Sequence, residues 1–134
     1  MIDKRILSLS RDPARRMERD ELTACKGRWK AEGGRVAEAS GNNPLCGDDV
    51  VLAVVVDGTE TVRDVRWSGY GCSLCVAAVE AAAGMALGRT AGANPVELDE
   101  VLEALGGPQI GRSRRACAAL PVSALREAVA ACLR

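Results

Sequence analysis

Val50-Val51-Leu52-Ala53-Val54-Val55-Val56, then Asp57-Gly58-Thr59-Glu60, then Thr61-Val62-Arg63-Asp64-Val65-Arg66-Trp67-Ser68, is the stretch that decides the fold. The first run is unbroken and mostly β-branched, as suits a buried strand. The Asp-Gly step reverses the chain, so the two runs form a hairpin with a loop longer than two residues. In the second run Thr61, Arg63, Val65 and Trp67 alternate onto one face. Strands are thus expected at about 50-57 and 61-68. A short edge strand is expected at about 35-40, before Gly41-Asn42-Asn43-Pro44, whose residue types favour a turn or loop.

Outward from the hairpin the pattern becomes helical. Ser73 to about Gly88 is almost all Ala, Val and Leu with Glu80 as its one charge, which predicts a nearly buried helix over 73-88. Asn94-Pro95-Val96-Glu97 reads as a helix start and gives a helix over 95-105. The last helix is expected over 115-133. Pro121 is tolerable only in a first turn, so its regular part is expected to begin near Leu120. On the other side, Asp12-Pro13 reads as a cap followed by Pro at the first helical position, giving an N-terminal helix over 12-31 that Gly33-Gly34 stops. Helix, antiparallel strands and then several helices make an α+β architecture, and 134 residues suit a single domain over 1-134.

Composition narrows the function. Trp29, Trp67 and Tyr70 are the only aromatic residues, so the core must be built from Ala, Val and Leu. Lys plus Arg equals Asp plus Glu, 18 against 18, and no aromatics line up for base stacking, which argues against a nucleic-acid partner. The N-terminus carries charges where a signal peptide needs its apolar stretch, and no run reaches membrane-spanning length. The expectation is a cytoplasmic protein with no membrane contact. Six cysteines in such a setting point to metal or redox chemistry rather than a disulfide framework. Histidine is absent, which removes every Cys/His zinc site and every Ser-His or Cys-His pair. Metal ligands here must be thiolates and carboxylates.

Cys46-Gly47-Asp48 lies between the turn and the buried strand, and Gly47 permits a backbone angle that aims both flanking side chains at one point. Cys72 follows Gly69-Tyr70-Gly71 and opens the apolar helix, where free N–H groups and the helix dipole attract negative charge. Both segments flank the open end of one hairpin, so Cys46, Asp48 and Cys72 converge. Cys117, at the start of the last helix, is a candidate to join them, a step that local spacing alone does not establish. Three thiolates and one carboxylate suit tetrahedral Zn²⁺. They equally suit a [2Fe–2S] cluster in which Asp48 replaces one sulfur and, as a harder ligand, makes the cluster easier to release.

Plainer readings apply to the remaining groups. Cys25 and Cys132 read as core residues. Cys72-Ser73-Leu74-Cys75 has the spacing of a thioredoxin-like pair, but no parallel strand–helix–strand unit surrounds it. Cys75 reads as a core or supporting thiol, with an alternative as a fourth ligand in place of Asp48. Arg112, Arg114 and Arg115 read either as a solvated basic patch or as a surface beside Cys117 for an acidic partner.

Three ordered blocks carry a family likeness: Asn43-Pro44-Leu45-Cys46-Gly47-Asp48, Gly69-Tyr70-Gly71-Cys72-Ser73-Leu74, and Ala116-Cys117-Ala118-Ala119-Leu120-Pro121-Val122-Ser123-Ala124-Leu125. Together they resemble the U-type iron–sulfur cluster assembly scaffold family over about Asn42 to Leu133. The resemblance implies a three-stranded antiparallel sheet with helices packed on one face. It implies Cys46, Asp48, Cys72 and Cys117 as ligands of iron or a cluster, and Cys117 as the sulfur acceptor. The implied partners are a cysteine desulfurase and acceptor apo-proteins, and the implied role is a scaffold or sulfur acceptor rather than a turnover enzyme. Ala116 stands where general scaffolds have His, and Cys75 where the family's Gram-positive sulfur acceptors usually have Ser. The Leu-Pro-Pro-Val-Lys segment used for chaperone docking has no counterpart. Two alternatives follow: a zinc-dependent sulfur acceptor that stimulates a desulfurase, and a non-catalytic zinc protein that docks on an assembly complex.

Overall fold

The computed structural model describes residues 4–44, 47–92 and 95–134. In chain order these form α1 (Lys4–Arg11), α2 (Arg19–Ala31), β1 (Arg35–Asn43), β2 (Asp48–Val56), β3 (Val62–Tyr70), α3 (Ser73–Ala86), α4 (Leu98–Ala104), a 3₁₀ turn (Gly107–Gln109) and α5 (Arg112–Cys132). The strands make one antiparallel sheet in the order β1-β2-β3, with the apolar strand in the middle, so the α+β expectation holds. On one face Val50, Leu52, Val54, Val56, Val65 and Trp67 pack with buried residues of α1, α3, α4 and α5. In addition α2 covers the other face, where Leu22, Cys25 and Trp29 meet Ala53 and Val55. Ala77, Ala78, Ala82, Ala83 and Ala86 of α3 are fully buried, as a core poor in aromatics requires. Among the described residues no helix is long and apolar enough to cross a membrane.

The hairpin differs from its sequence pattern in one respect. Val55 pairs with Asp64 and Val56 with Val62, so Arg63 is an extra residue in a bulge. Alternation therefore breaks, and Val62 rather than Thr61 or Arg63 joins Val65 and Trp67 in the core. β1 is also longer than expected. Gly41, Asn42 and Asn43 pair with Val50, Asp49 and Asp48, because ladder hydrogen bonds outweigh their turn propensity. Gly41 is needed there, since a Cβ would come within 2.8 Å of Leu120 on α5, which crosses β1 at that point. β3 likewise continues through Gly69 and Tyr70.

Of the N-terminal helix expected over 12-31, only Arg19–Ala31 is helical; residues 12–18 form a non-helical link, and the separate α1 precedes them. Met17 N–H donates to the Trp67 carbonyl at 2.8 Å, and Trp67 N–H donates to that of Arg15 at 3.1 Å. Residues 15–17 thus cover the outer edge of β3, which otherwise presents unpaired backbone groups. That tertiary demand overrides the local Asp12-Pro13 signal. α2 starts later, behind a capping box formed by Glu18 and Glu21. α4 begins at Leu98 rather than 95, because Glu97 and Glu100 form its capping box; Asn94 lies outside the described residues. α3 ends at Ala86, two residues earlier than expected.

α5 is continuous with Pro121 inside it, contrary to the expectation that Pro121 sits in a first turn. An internal Pro costs about 3 kcal/mol or more through the lost i→i−4 bond. Burial of Cys117, Ala118, Val122, Ala124, Leu125, Ala128 and Val129 offsets it. On the sheet's outer surface, Glu38 accepts from Lys26 Nζ at 2.8 Å and from Arg19 Nη1 at 3.3 Å. The Lys26 hydrogen bond, with help from Arg19, lowers the Glu38 carboxyl below 4.5. A depressed carboxylate contributes stability above its unfolded value and loses it as pH falls through the folded value. Glu38→Gln should therefore cost under about 1 kcal/mol at neutral pH, discounted for solvent exposure. The difference from wild type should close as pH drops below 4.5, measurable by urea unfolding across that range.

Candidate metal centre

β1 and β2 join at the same end of the sheet where β3 runs into α3. The register sets this out: Asn43 faces Asp48, and Asp49 faces Tyr70. The end of β3 and the start of α3 thus arrive beside Asp48, as the hairpin argument requires. Cys72 is the N-cap of α3, and its Sγ accepts a hydrogen bond from Cys75 N–H at 3.4 Å. Its own N–H donates to Asp48 Oδ1 at 2.9 Å. Gly71 makes the close approach feasible, because a Cβ there would lie 3.0 Å from Asp48 Oδ1 and 2.9 Å from Cys75 Sγ.

Cys117 comes in from the second turn of α5. One ligand atom each from Asp48, Cys72 and Cys117 lies within 4.8 Å of the other two. Sulfur and oxygen ligands on a tetrahedral Zn²⁺ sit about 3.5–4 Å apart, so side-chain adjustment of about 1 Å closes this set on an ion. Asp48 is wholly buried, and its Oδ2 has no hydrogen-bond partner among the described residues. A buried carboxylate oxygen without a partner costs folding free energy, and a metal would satisfy it. The donor set therefore fits either Zn²⁺ or iron.

Of the residues expected at the site, Asp48, Cys72 and Cys117 are brought together, while Cys46 lies outside the described residues. Cys75 is fully buried and is not a member of the three-atom cluster. Cys25 and Cys132 are buried in the core, and burial pushes both thiols up. Cys132 Sγ also lies 3.7 Å from the Val54 carbonyl oxygen, to which it donates. Arg112, Arg114 and Arg115 are exposed in the first turn of α5, immediately before Cys117. Sequence reading missed the backbone bond from Cys72 to Asp48 and the steric demand on Gly71. The Gly-x-Gly step directly before an N-capping Cys was the available signal.

A family model described as NifU-like N terminal domain matches residues 5–134. The bifunctional protein NifU/MnmA of Rubrobacter xylanophilus is 39% identical over 77 residues, covering 57% of this chain and 16% of that protein. The iron–sulfur cluster assembly scaffold protein IscU 1 of Archaeoglobus fulgidus is 32% identical over 101 residues, covering 72% of this chain and 64% of the relative. The chain thus spans less than two thirds of these relatives' lengths. In fold it is similar to the N-terminal part of a NifU-like protein from Brucella abortus, with TM-score 0.70, 18% identity and coverage of 98% and 93% of the two chains. A SUF-system cluster assembly scaffold candidate from Fervidobacterium islandicum superposes with TM-score 0.69, 18% identity and 95% coverage of both chains.

Proposed function

This chain belongs to the NifU-like N-terminal domain family, and from that premise we propose that it is an iron–sulfur cluster assembly scaffold. In this reading it binds iron, accepts sulfur from a cysteine desulfurase at Cys117, and holds a labile [2Fe–2S] cluster for transfer to acceptor apo-proteins in the cytoplasm. The cluster is cargo. The observation that carries the reading is the convergence of ligand atoms from Asp48, Cys72 and Cys117, together with a buried Asp48 oxygen that has no partner among the described residues. Cys46, beside Asp48 in sequence, is the fourth ligand of the proposed set.

Each residue has a stated task. Cys72, the N-cap of α3, offers a sulfur that the Cys75 N–H holds over the first turn. Asp48 supplies the hard ligand that keeps cargo exchangeable, and the bond it accepts from Cys72 N–H fixes its Oδ1. Cys117 takes the sulfane sulfur by thiolate attack on a desulfurase persulfide, with the desulfurase thiol as leaving group. The exposed arginines of α5 offer that partner a basic surface beside the acceptor.

Anaerobic reconstitution with iron, cysteine and a desulfurase should give visible charge-transfer bands. Asp48→Ala should make the cluster persist several-fold longer against a chelator, since a harder ligand is removed from iron. Cys117→Ser should abolish the persulfide on the chain. A colourless, iron-free product would overturn the scaffold reading. A second reading, a zinc-dependent sulfur acceptor, is favoured by the histidine-free set of thiolates and one carboxylate. It predicts about one zinc per purified chain and desulfurase stimulation that Cys117→Ser loses. Metal bound with no persulfide on any cysteine would instead leave a docking role.

A further inference from the structure

The Cys72-Ser73-Leu74-Cys75 pair is absorbed by neither reading, and its geometry is that of a dithiol at a helix N-terminus. Cys72 is the partly exposed N-cap, whereas Cys75, at the third helical position, is fully buried. The Cys75 amide donates to Cys72 Sγ at 3.4 Å, which holds that sulfur over the first turn. The N-cap backbone of Cys72 is extended rather than helical, so a modest shift of the first turn brings the pair to the Cβ separation of about 3.5–4.5 Å that a disulfide needs. Gly71 leaves room beside the Cys75 side chain, for a Cβ there would lie 2.9 Å from Cys75 Sγ. Neither cysteine is in a disulfide. Cys117 Sγ lies within 4.8 Å of Cys72 Sγ.

We propose that Cys75 is a resolving thiol that releases sulfur held on Cys72 as sulfide, leaving a Cys72–Cys75 disulfide. The inference rests on the sulfur-accepting reading above and adds an activity to it. Sulfur received at Cys117 passes to Cys72 when the Cys72 thiolate attacks the outer sulfur of the Cys117 persulfide, and the Cys117 thiol is regenerated. The Cys75 thiolate then attacks Cys72 Sγ. The Cys72–Cys75 S–S bond forms and the bond from Cys72 Sγ to the outer sulfur breaks. The electron pair leaves on that sulfur, which takes the Cys75 proton and departs as hydrosulfide. The sulfane sulfur is reduced by two electrons and the two cysteine sulfurs are oxidised by the same number. A small-molecule thiol or a dithiol protein resets the pair by two exchange steps. Sulfide is thereby generated next to Asp48 and Cys117, the groups proposed to hold iron.

The test uses the full chain, reduced and desalted, loaded anaerobically with inorganic polysulfide and desalted again. Wild type should then release about one sulfide per chain without added thiol and end about 2 Da lighter than the reduced chain, with Cys72 and Cys75 refractory to alkylation. Cys75→Ser and Cys75→Ala should both stay about 32 Da heavier and release sulfide at least ten-fold more slowly. The wild-type mass and alkylation pattern stand even where a variant folds poorly. A wild-type persulfide that persists, a disulfide joining Cys72 to Cys117, or unchanged release in both variants would each overturn the proposal. Metal content, measured on the same wild-type preparation, separates the two failures. Metal and persulfide bound without sulfide release defeat the resolving role alone, whereas neither metal nor persulfide defeats the underlying function.

Discussion

Gly69→Ala is expected to lower the thermal midpoint by roughly 10 °C or more, a loss of about 3–5 kcal/mol. Gly69 has φ +127°, a region that L side chains rarely adopt, and forcing one there costs about 1–3 kcal/mol by itself. The added Cβ would also overlap the Asp49 carbonyl oxygen and sit 3.0 Å from Val50 Cα. Both are backbone atoms of the central strand, so no rotamer change relieves the clash; β2 and β3 must separate where Val50 faces Gly69. That pair lies directly beside Asp49 and Tyr70, which lead into Asp48 and Cys72. Metal affinity should therefore fall together with stability. Gly58→Ala is the matched control, because a Cβ at Gly58 meets nothing within 4 Å, and it should stay within about 0.5 kcal/mol of wild type. Calorimetric midpoints and metal titration of both variants check this; a Gly69→Ala midpoint equal to that of Gly58→Ala would show that the sheet end yields.

The same residues show how much of the molecule was legible. The hairpin could be read because an unbroken apolar run, a turn and an alternating run are local signals, and they placed Asp48 and Cys72 at one end of the sheet. Cys117 could not be placed from spacing. Its position depends on α5 crossing β1 where Gly41 leaves room for Leu120, and on a helix that runs through Pro121 because burial outweighs the missing bond. The N-terminal reading failed for a related reason. Asp12-Pro13 is a sound local helix start, but the open edge of β3 claims residues 15–17 as cover. Both of these departures are tertiary contacts overriding a local preference, and both occur where elements distant in sequence converge on the site or its support.

The second large effect concerns that support. Glu80, the single charge in α3, is almost fully buried, with 2% of its side chain exposed. Its Oε2 accepts from Trp67 Nε1 at 2.7 Å and from the Arg15 amide at 3.1 Å, while Oε1 accepts from Arg15 Nη1 at 3.2 Å. One carboxylate thus ties α3, which carries Cys72 at its N-terminus, to β3 and to the strap covering that strand's edge. Glu80→Ala is expected to cost about 2–4 kcal/mol. Most of this comes from the Trp67 indole N–H, left without an acceptor in a ring that is wholly buried. Less comes from Arg15, whose side chain is 25% exposed and can turn to water. Glu80→Gln keeps an acceptor for the indole and should lose only about half as much. The loss should be coupled to Trp67: combining Glu80→Ala with Trp67→Phe should cost less than the sum of the single variants by about 1–2 kcal/mol. Amide exchange at Met17 and Trp67 should speed up in Glu80→Ala, because the strap loses its anchor while the β1–β2 ladder keeps its own bonds. Additive single and double variants, or unchanged exchange at those two amides, would mean that the carboxylate is not what holds the strap and α3 to the sheet.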